Sequence, residues 1–167
     1  MEYYFKTMAS PVGSLTLIAS DKGLSAVQWE RGNPDRTRTG IENVNHPVLM
    51  ETERQLNEYF QKKRKVFSLD LDFAGTDFQI KVWQALLTIP FGETRTYGQI
   101  AEQIGNPQAV RAVGGAANSN PISIVAPCHR VIGATGKLVG FGGGLANKAL
   151  LLALERPYKQ TSLWEQD

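Results

Sequence analysis

The segment Thr96–Ala117, TYGQIAEQIGNPQAVRAVGGAA, decides how the second half of this chain folds. Thr96 reads as a helix N-cap, since its hydroxyl can accept from the unpaired backbone N–H groups of a first turn, and the spacing predicts a helix over Tyr97–Ile104. Gly105 stops that helix, Asn106 caps a second, and Pro107 sits in its first turn, so the second helix is expected to run to about Ala117. Two short helices joined by so tight a turn form a helix-turn-helix signature, an arrangement that reads DNA and also serves as a plain structural unit. The second helix is nearly bare. Ala112, Gly114, Gly115, Ala116 and Ala117 leave Arg111 as its long side chain, and adjacent glycines cost about 1 kcal/mol each relative to alanine. Close approach of another surface explains that cost, whether the surface is DNA or another part of the protein.

On the N-terminal side, Thr76 caps a helix carrying Phe78, Val82, Trp83, Leu86 and Leu87 until Pro90 and Gly92 stop it. The domain boundary is placed at Gly75-Thr76, which divides residues 1–75 from 76–160 and leaves 161–167 as a tail. Before it, Tyr3–Ser10, Ser14–Ser20 and Leu24–Glu30 read as a β-meander with turns at Pro11-Val12-Gly13 and Asp21-Lys22-Gly23. Arg31–Asn45 is polar and reads as a loop. His46–Lys63 places Leu49, Leu56, Tyr59 and Phe60 at helical spacing, and Phe67, Leu69 and Leu71 alternate as a further strand. Past the helix pair, Ile122–Pro127 reads as a buried strand. Val131-Ile132 and Lys137–Phe141 read as a hairpin that forms a wing, followed by a Gly142-Gly143-Gly144 loop and a final helix over Leu145–Glu155.

At 167 residues, with 42% hydrophobic and 20% charged side chains, the chain can bury a core and shows no sign of disorder. It has no apolar run of membrane-spanning length and no leader at Met1, so a cytoplasmic location without membrane contact is expected. One cysteine forms no internal disulfide, and His46 and His129 alone assemble no standard zinc cluster, so neither metal nor cofactor is expected. Residues 1–76 balance ten basic against ten acidic side chains, whereas 77–160 hold eight basic and four acidic ones. Between Thr94 and Leu154, Glu102 is the sole carboxylate against Arg95, Arg111, Arg130, Lys137 and Lys148. Such a bias suits a nucleic acid, and a solvated basic face has the same composition.

The cysteine stands in Pro127-Cys128-His129-Arg130. A lone cysteine is by default a small buried hydrophobe. A thiol followed by an imidazole and a guanidinium, however, sits in a locally positive field that favours thiolate and so makes a nucleophile.

These residues are specific enough to carry a resemblance. Tyr97, Arg111-Ala112-Val113-Gly114-Gly115-Ala116, Asn120-Pro121, Ile124–Ile132 with Pro127-Cys128-His129-Arg130 inside it, Gly143-Gly144-Leu145 and Glu155 make the chain similar to the DNA repair alkyltransferases that act on O6-alkylguanine, in their bacterial single-chain form. The resemblance covers about half the chain in detail and implies an α+β protein. An N-terminal ribonuclease H-like α/β domain would precede a helical C-terminal domain with a winged helix-turn-helix.

Carried over residue by residue, the resemblance makes Cys128 the alkyl acceptor, His129 its partner through a bridging water, and Glu155 the group that orients and charges His129. A carboxylate behind an imidazole makes it a stronger base, which agrees with that assignment. Asn120 would hold the turn that bears the cysteine, and Tyr97 would donate to guanine N3 and stabilise the departing base. The target lies inside a duplex and must be flipped out. Arg111 would fill the gap from the minor groove, with Ala112, Gly114 and Gly115 lying in that narrow slot and Thr96 and Arg130 also on the DNA side. Tyr97, Val131, Phe141, Gly142 and Lys148 would line the base pocket. The partner implied is double-stranded DNA carrying O6-alkylguanine, with O4-alkylthymine as a second lesion. The protein would be a monomer in solution, and cooperative assembly on DNA is left open.

One departure stands out. Many relatives carry a tyrosine followed by a serine in the pocket loop, where this chain has Phe141-Gly142, so any donor to guanine O6 there would be a backbone N–H. Two other readings compete: a lesion-binding DNA module without transfer, against which Cys128 speaks, and a cysteine hydrolase, against which the adjacency of Cys128 and His129 speaks.

Overall fold

A computed structural model of the chain describes residues 2–30, 40–136 and 140–156. Its first half is built on β1 (Tyr4–Met8), β2 (Leu15–Ser20) and β3 (Gly23–Trp29), the expected meander. Antiparallel pairing sets Lys6 opposite Leu17, and Leu17 opposite Val27. β2 is buried almost throughout, with Leu15, Leu17 and Ala19 in the core that also takes Leu49, Leu56 and Tyr59 of α1 (Pro47–Phe60). The nitrogen Nδ1 of His46 caps that helix by accepting from Val48 N.

Two expectations for this half need correction. The stretch expected to be loop contributes a short strand, β4 (Ile41–Glu42), which pairs parallel with β1 and completes the sheet order β3-β2-β1-β4. Residues 31–39 of that stretch lie outside the described residues. Conversely, Phe67–Leu71 is not a strand. It meets the sheet at one bridge, Leu71 to Leu24, where Leu24 N donates to Asp70 O and Asp72 N to Leu24 O. The alternation of Phe67, Leu69 and Leu71 reflects packing on the core rather than a ladder of hydrogen bonds.

In the second half, α2 (Asp77–Leu86) starts with a capping box between Thr76 and Gln79. β5 (Arg95–Thr96) leads into α3 (Tyr97–Gln103), whose capping box joins Thr96 and Gln99. Gly105 takes φ +80° to end that helix. The next helix, α4, spans Val110–Asn118 and so begins three residues after Pro107. The N–H of Asn106 is used to close α3 on Ala101 O, and Asn106–Ala109 form a turn through Ala109 N to Asn106 O, so Asn106 is not a helix cap. Val82, Trp83, Leu86, Ile100 and Val113 form the core between α2, α3 and α4, and Trp83 Nε1 donates 2.8 Å to Ala116 O.

The segment expected as a buried strand, Ile122–Pro127, is buried but folds as a tight turn. Ala126 N donates to Ile122 O and Val125 N to Ser123 O. Cys128–Arg130 make one 3-10 turn, and β6 (Val131–Ile132) pairs parallel with β5. Residues 137–139 of the expected wing and the tail at 161–167 lie outside the described residues. α5 (Leu145–Leu154) ends with Glu155 as its C-cap. No described helix is long and apolar enough to cross a membrane.

Candidate active site

The cysteine is carried by a strained turn. Ile124, a β-branched residue, has φ +73°, a conformation that costs on the order of 1–3 kcal/mol and persists only where its surroundings enforce it. Asn120 does so: its Nδ2 donates 2.8 Å to Ala126 O, and its Oδ1 accepts from Ile122 N at 3.0 Å. From the sheet side, Val27 N donates to Pro121 O and Trp29 Nε1 donates 3.1 Å to Ser123 Oγ. The turn is thus held by both halves of the chain.

Cys128 is 8% exposed. Burial pushes its thiol pKa up, against the smaller downward pull of Asn120 and of the Lys148 charge. Burial therefore works against the positive field expected to favour thiolate. Arg130 is buried and turned away: its Nε and Nη2 donate to the two oxygens of Glu155 at 2.8 and 3.0 Å, and its Nη1 donates 2.6 Å to Ile89 O. The expected place of Arg130 on the DNA side is therefore corrected, because the side chain is buried and each of its three nitrogens bonds inside the protein.

His129 is fully buried, with Nε2 2.6 Å from Glu155 Oε2. Burial lowers its pKa, and Arg130 and Lys148 add to that while Glu155 opposes it. Burial thus favours the neutral imidazole, the form in which the hydrogen on Nε2 faces the carboxylate. That leaves a lone pair on Nδ1, a buried atom with no hydrogen bond among the described residues. Burial alone would raise Glu155, but the hydrogen bonds from His129 and Arg130 and the Arg130 charge outweigh it and hold the carboxyl at about 2. Such a carboxylate stays ionised and accepts rather than donates.

A further donor comes from the other half of the chain. The hydroxyl of Tyr59, on α1, donates 2.5 Å to Glu155 Oε2. The ring is fully buried, and burial together with Glu155 pushes the phenol pKa upward, so it never gives up its proton. Sequence reading placed Tyr59 only on the core face of its helix. The usable signal was its hydroxyl, which a fully buried tyrosine must pair. Trp29 and Ser123 were likewise missed as parts of this site.

Of the residues expected to line the base pocket, Tyr97, Val131 and Phe141 pack in the same cluster as Cys128, and the Lys148 charge acts on its thiol. Tyr97 is half-buried, with its hydroxyl pKa raised by burial and by the nearby cysteine. Lys148 is fully buried and donates 2.7 Å to Val131 O, with its Nζ 5.8 Å from the centre of the Phe141 ring. Phe141 meets Trp29 edge to face at 5.4 Å. Gly142 is exposed.

Arg111, Ala112 and Gly115 form an exposed stripe on α4. A Cβ on Gly115 would meet nothing within 4 Å, whereas one on Gly114 would touch the Tyr97 ring at 3.9 Å. Packing among the described residues therefore does not require glycine at 115. The Thr96 hydroxyl accepts from Gln99 N as part of its cap.

Fold and site together define a class: a mixed α+β protein whose one cysteine is buried and followed by a histidine held on a carboxylate. Residues 3–73 match the ribonuclease-like domain of 6-O-methylguanine DNA methyltransferase, and residues 77–157 match its DNA binding domain. The chain belongs to the 6-O-methylguanine DNA methyltransferase family. It is 50% identical over 159 residues to a methylated-DNA–protein-cysteine methyltransferase of Mycolicibacterium paratuberculosis, covering 95% of this chain and 96% of that protein. The corresponding protein of Methanosarcina acetivorans is 47% identical over 152 residues, or 91% of this chain and 97% of the relative. The structure of Mycobacterium tuberculosis OGT in complex with DNA superposes with a TM-score of 0.82 at 45% identity, covering 96% of this chain and 98% of that one. The M. tuberculosis O6-methylguanine methyltransferase does so with 0.84 at 46%, covering 95% and 98%.

Proposed function

We propose that this chain carries out the family's DNA repair reaction, transfer of the alkyl group from guanine O6 to a cysteine of the protein itself, with Cys128 as acceptor. The observation that carries the reading is the buried His129, paired to an ionised Glu155 and with no partner for Nδ1 among the described residues. His129 takes the thiol proton at Nδ1 through one water. The Cys128 sulfur then attacks the alkyl carbon, forming the S–C bond as the C–O6 bond breaks and its electron pair passes into the guanine. Tyr97 stabilises that charge by donating to guanine N3, and the thiol proton ultimately balances the restored base. The product is a thioether, and the chain has no second cysteine to release it, so each molecule reacts once.

DNA binding in this reading uses α3 and α4 as a helix-turn-helix, with the exposed stripe of Arg111, Ala112 and Gly115 in the minor groove of the duplex. Arg111 takes the place of the flipped nucleotide. Gly115 supports this, since no neighbour among the described residues fills the space beside it. The domains divide at residues 75 and 76, the first half is ribonuclease H-like, and the protein works as a monomer in the cytoplasm.

Intact-protein mass spectrometry after incubation with O6-methylguanine duplex DNA tests the reading. One methyl group should appear on the Cys128 peptide and never a second, and Cys128→Ser should abolish the gain while keeping DNA binding. Repeated turnover by one molecule would sink it.

A further inference from the structure

Trp29 lies at the end of β3, in the half of the chain that carries none of the reacting groups, yet it touches both walls of the site. Its Nε1 donates 3.1 Å to Ser123 Oγ in the strained turn ahead of Cys128. Its ring meets Phe141 of the pocket loop edge to face at 5.4 Å and 67°. The backbone of Gly143 lies flat against the same indole: a Cβ at that position would fall 2.4 Å from Cε2 and 2.6 Å from Cδ2. One rigid side chain thus spans from the turn that carries the nucleophile to the loop that faces it.

We propose that Trp29 is a positioning residue that sets the gap between the Cys128 turn and the Phe141 loop, and with it the size of alkyl group the site transfers well. The inference rests on the alkyl-transfer reading. The indole is too stiff to adjust: both contacts come from one ring system, so moving either wall means moving the ring against the other. The loop has little stiffness of its own, since Gly142-Gly143-Gly144 supply no side chains to fix it. With the indole in place, Phe141 is held forward and a small group is kept in line with the sulfur. Without it, Phe141 can fall back into the vacated volume, which loosens the fit for a methyl group and makes room for a larger one.

The test compares O6-methylguanine and O6-benzylguanine placed in the same duplex, with single-turnover rates measured for each variant. Trp29→Leu should slow methyl transfer by about ten- to a hundredfold, the usual consequence of misplacing a reacting group by a fraction of an ångström to an ångström. Benzyl transfer should fall much less, so the benzyl-to-methyl ratio rises about tenfold. A purely structural role would lower both rates together, and an unchanged ratio overturns the proposal. Should Trp29→Leu not fold, Trp29→Phe and Ser123→Ala decide the matter, because each removes one end of the same hydrogen bond. Their effects on methyl transfer should not add in the double variant, and additivity overturns the link to the turn. The wild-type mass gain on Cys128 separates the two levels. If it is absent, the alkyl-transfer reading fails; if it is present with an unchanged ratio, only the role of Trp29 does.

Discussion

Replacing Tyr59 by phenylalanine removes one hydroxyl from a fully buried site and leaves the ring, and therefore the packing, in place. The lost bond is 2.5 Å long and ends on Glu155 Oε2, the length and charge state of a strong charge-assisted hydrogen bond. Hydrogen bonds to charged groups contribute about 1.5–3 kcal/mol, and that is the expected cost at neutral pH. The effect has a pH signature. The carboxyl of Glu155 titrates at about 2 in the folded protein against an ordinary 4.5, so the stability it contributes is complete above 4.5 and is lost as pH falls toward about 2. Tyr59→Phe withdraws a donor from the ionised form, which moves the folded pKa up toward its ordinary value. The acid loss of stability should start correspondingly earlier. Urea denaturation at neutral pH and at a series of acidic pH values measures both quantities. In a Glu155→Gln background the oxygen is no longer charged, and the cost of Tyr59→Phe should shrink to about 0.5–1.5 kcal/mol. A cost below about 0.5 kcal/mol at neutral pH, or an equal cost in both backgrounds, would refute a buried phenol–carboxylate bond.

Three further outcomes follow from the same geometry. His129→Ala should slow alkyl transfer by about 10²–10⁴-fold in single-turnover assays. In the wild type, because burial holds His129 below its ordinary 6.5, the rate should stay flat down to that pH and fall only beneath it; the folded state should also lose stability below 6.5, where the unfolded chain binds the proton. Arg111→Ala should impair reaction with duplex DNA far more than with free O6-benzylguanine, since only the duplex requires extrusion, and equal loss on both would move Arg111 out of the wedge role. Gly115→Ala should stabilise the protein in thermal unfolding, by up to about 1 kcal/mol, because its Cβ meets nothing within 4 Å; the same change should weaken DNA binding in a titration, and unimpaired binding would remove α4 from the interface.

Much of this was legible in the sequence, and the parts that were not share a cause. The N-caps at Thr76 and Thr96, the stop at Gly105 and the meander are written in local residue chemistry, and α3 and the meander strands stand within a residue or two of expectation, whereas α2 ends at Leu86 rather than running to Pro90. The failures are places where a distant partner decides. The burial of Ile122–Pro127 was readable, but its turn depends on Asn120, Val27 and Trp29 together. Pro107 reads as a helix start until Asn106 N is found closing the preceding helix. Arg130 reads as a surface cation until Glu155 and Ile89 take its donors. Tyr59 lies 96 positions from the carboxylate it serves, and no local pattern records such a pairing.

The position of Arg130 also changes how the cysteine must be understood. A guanidinium beside the thiol would hold it as a standing thiolate, open to any electrophile that reached it. Spent on Glu155 instead, the guanidinium stabilises the carboxylate, and the carboxylate in turn fixes the imidazole hydrogen on Nε2. Burial then disfavours the charged forms of both Cys128 and His129. In the proposed reaction the pair becomes reactive only when the proton passes from sulfur to Nδ1 as the sulfur attacks. For an acceptor that reacts once, that order matters: a thiol kept neutral until a substrate is aligned is not consumed by stray alkylating or oxidising agents, whose rate follows the thiolate fraction.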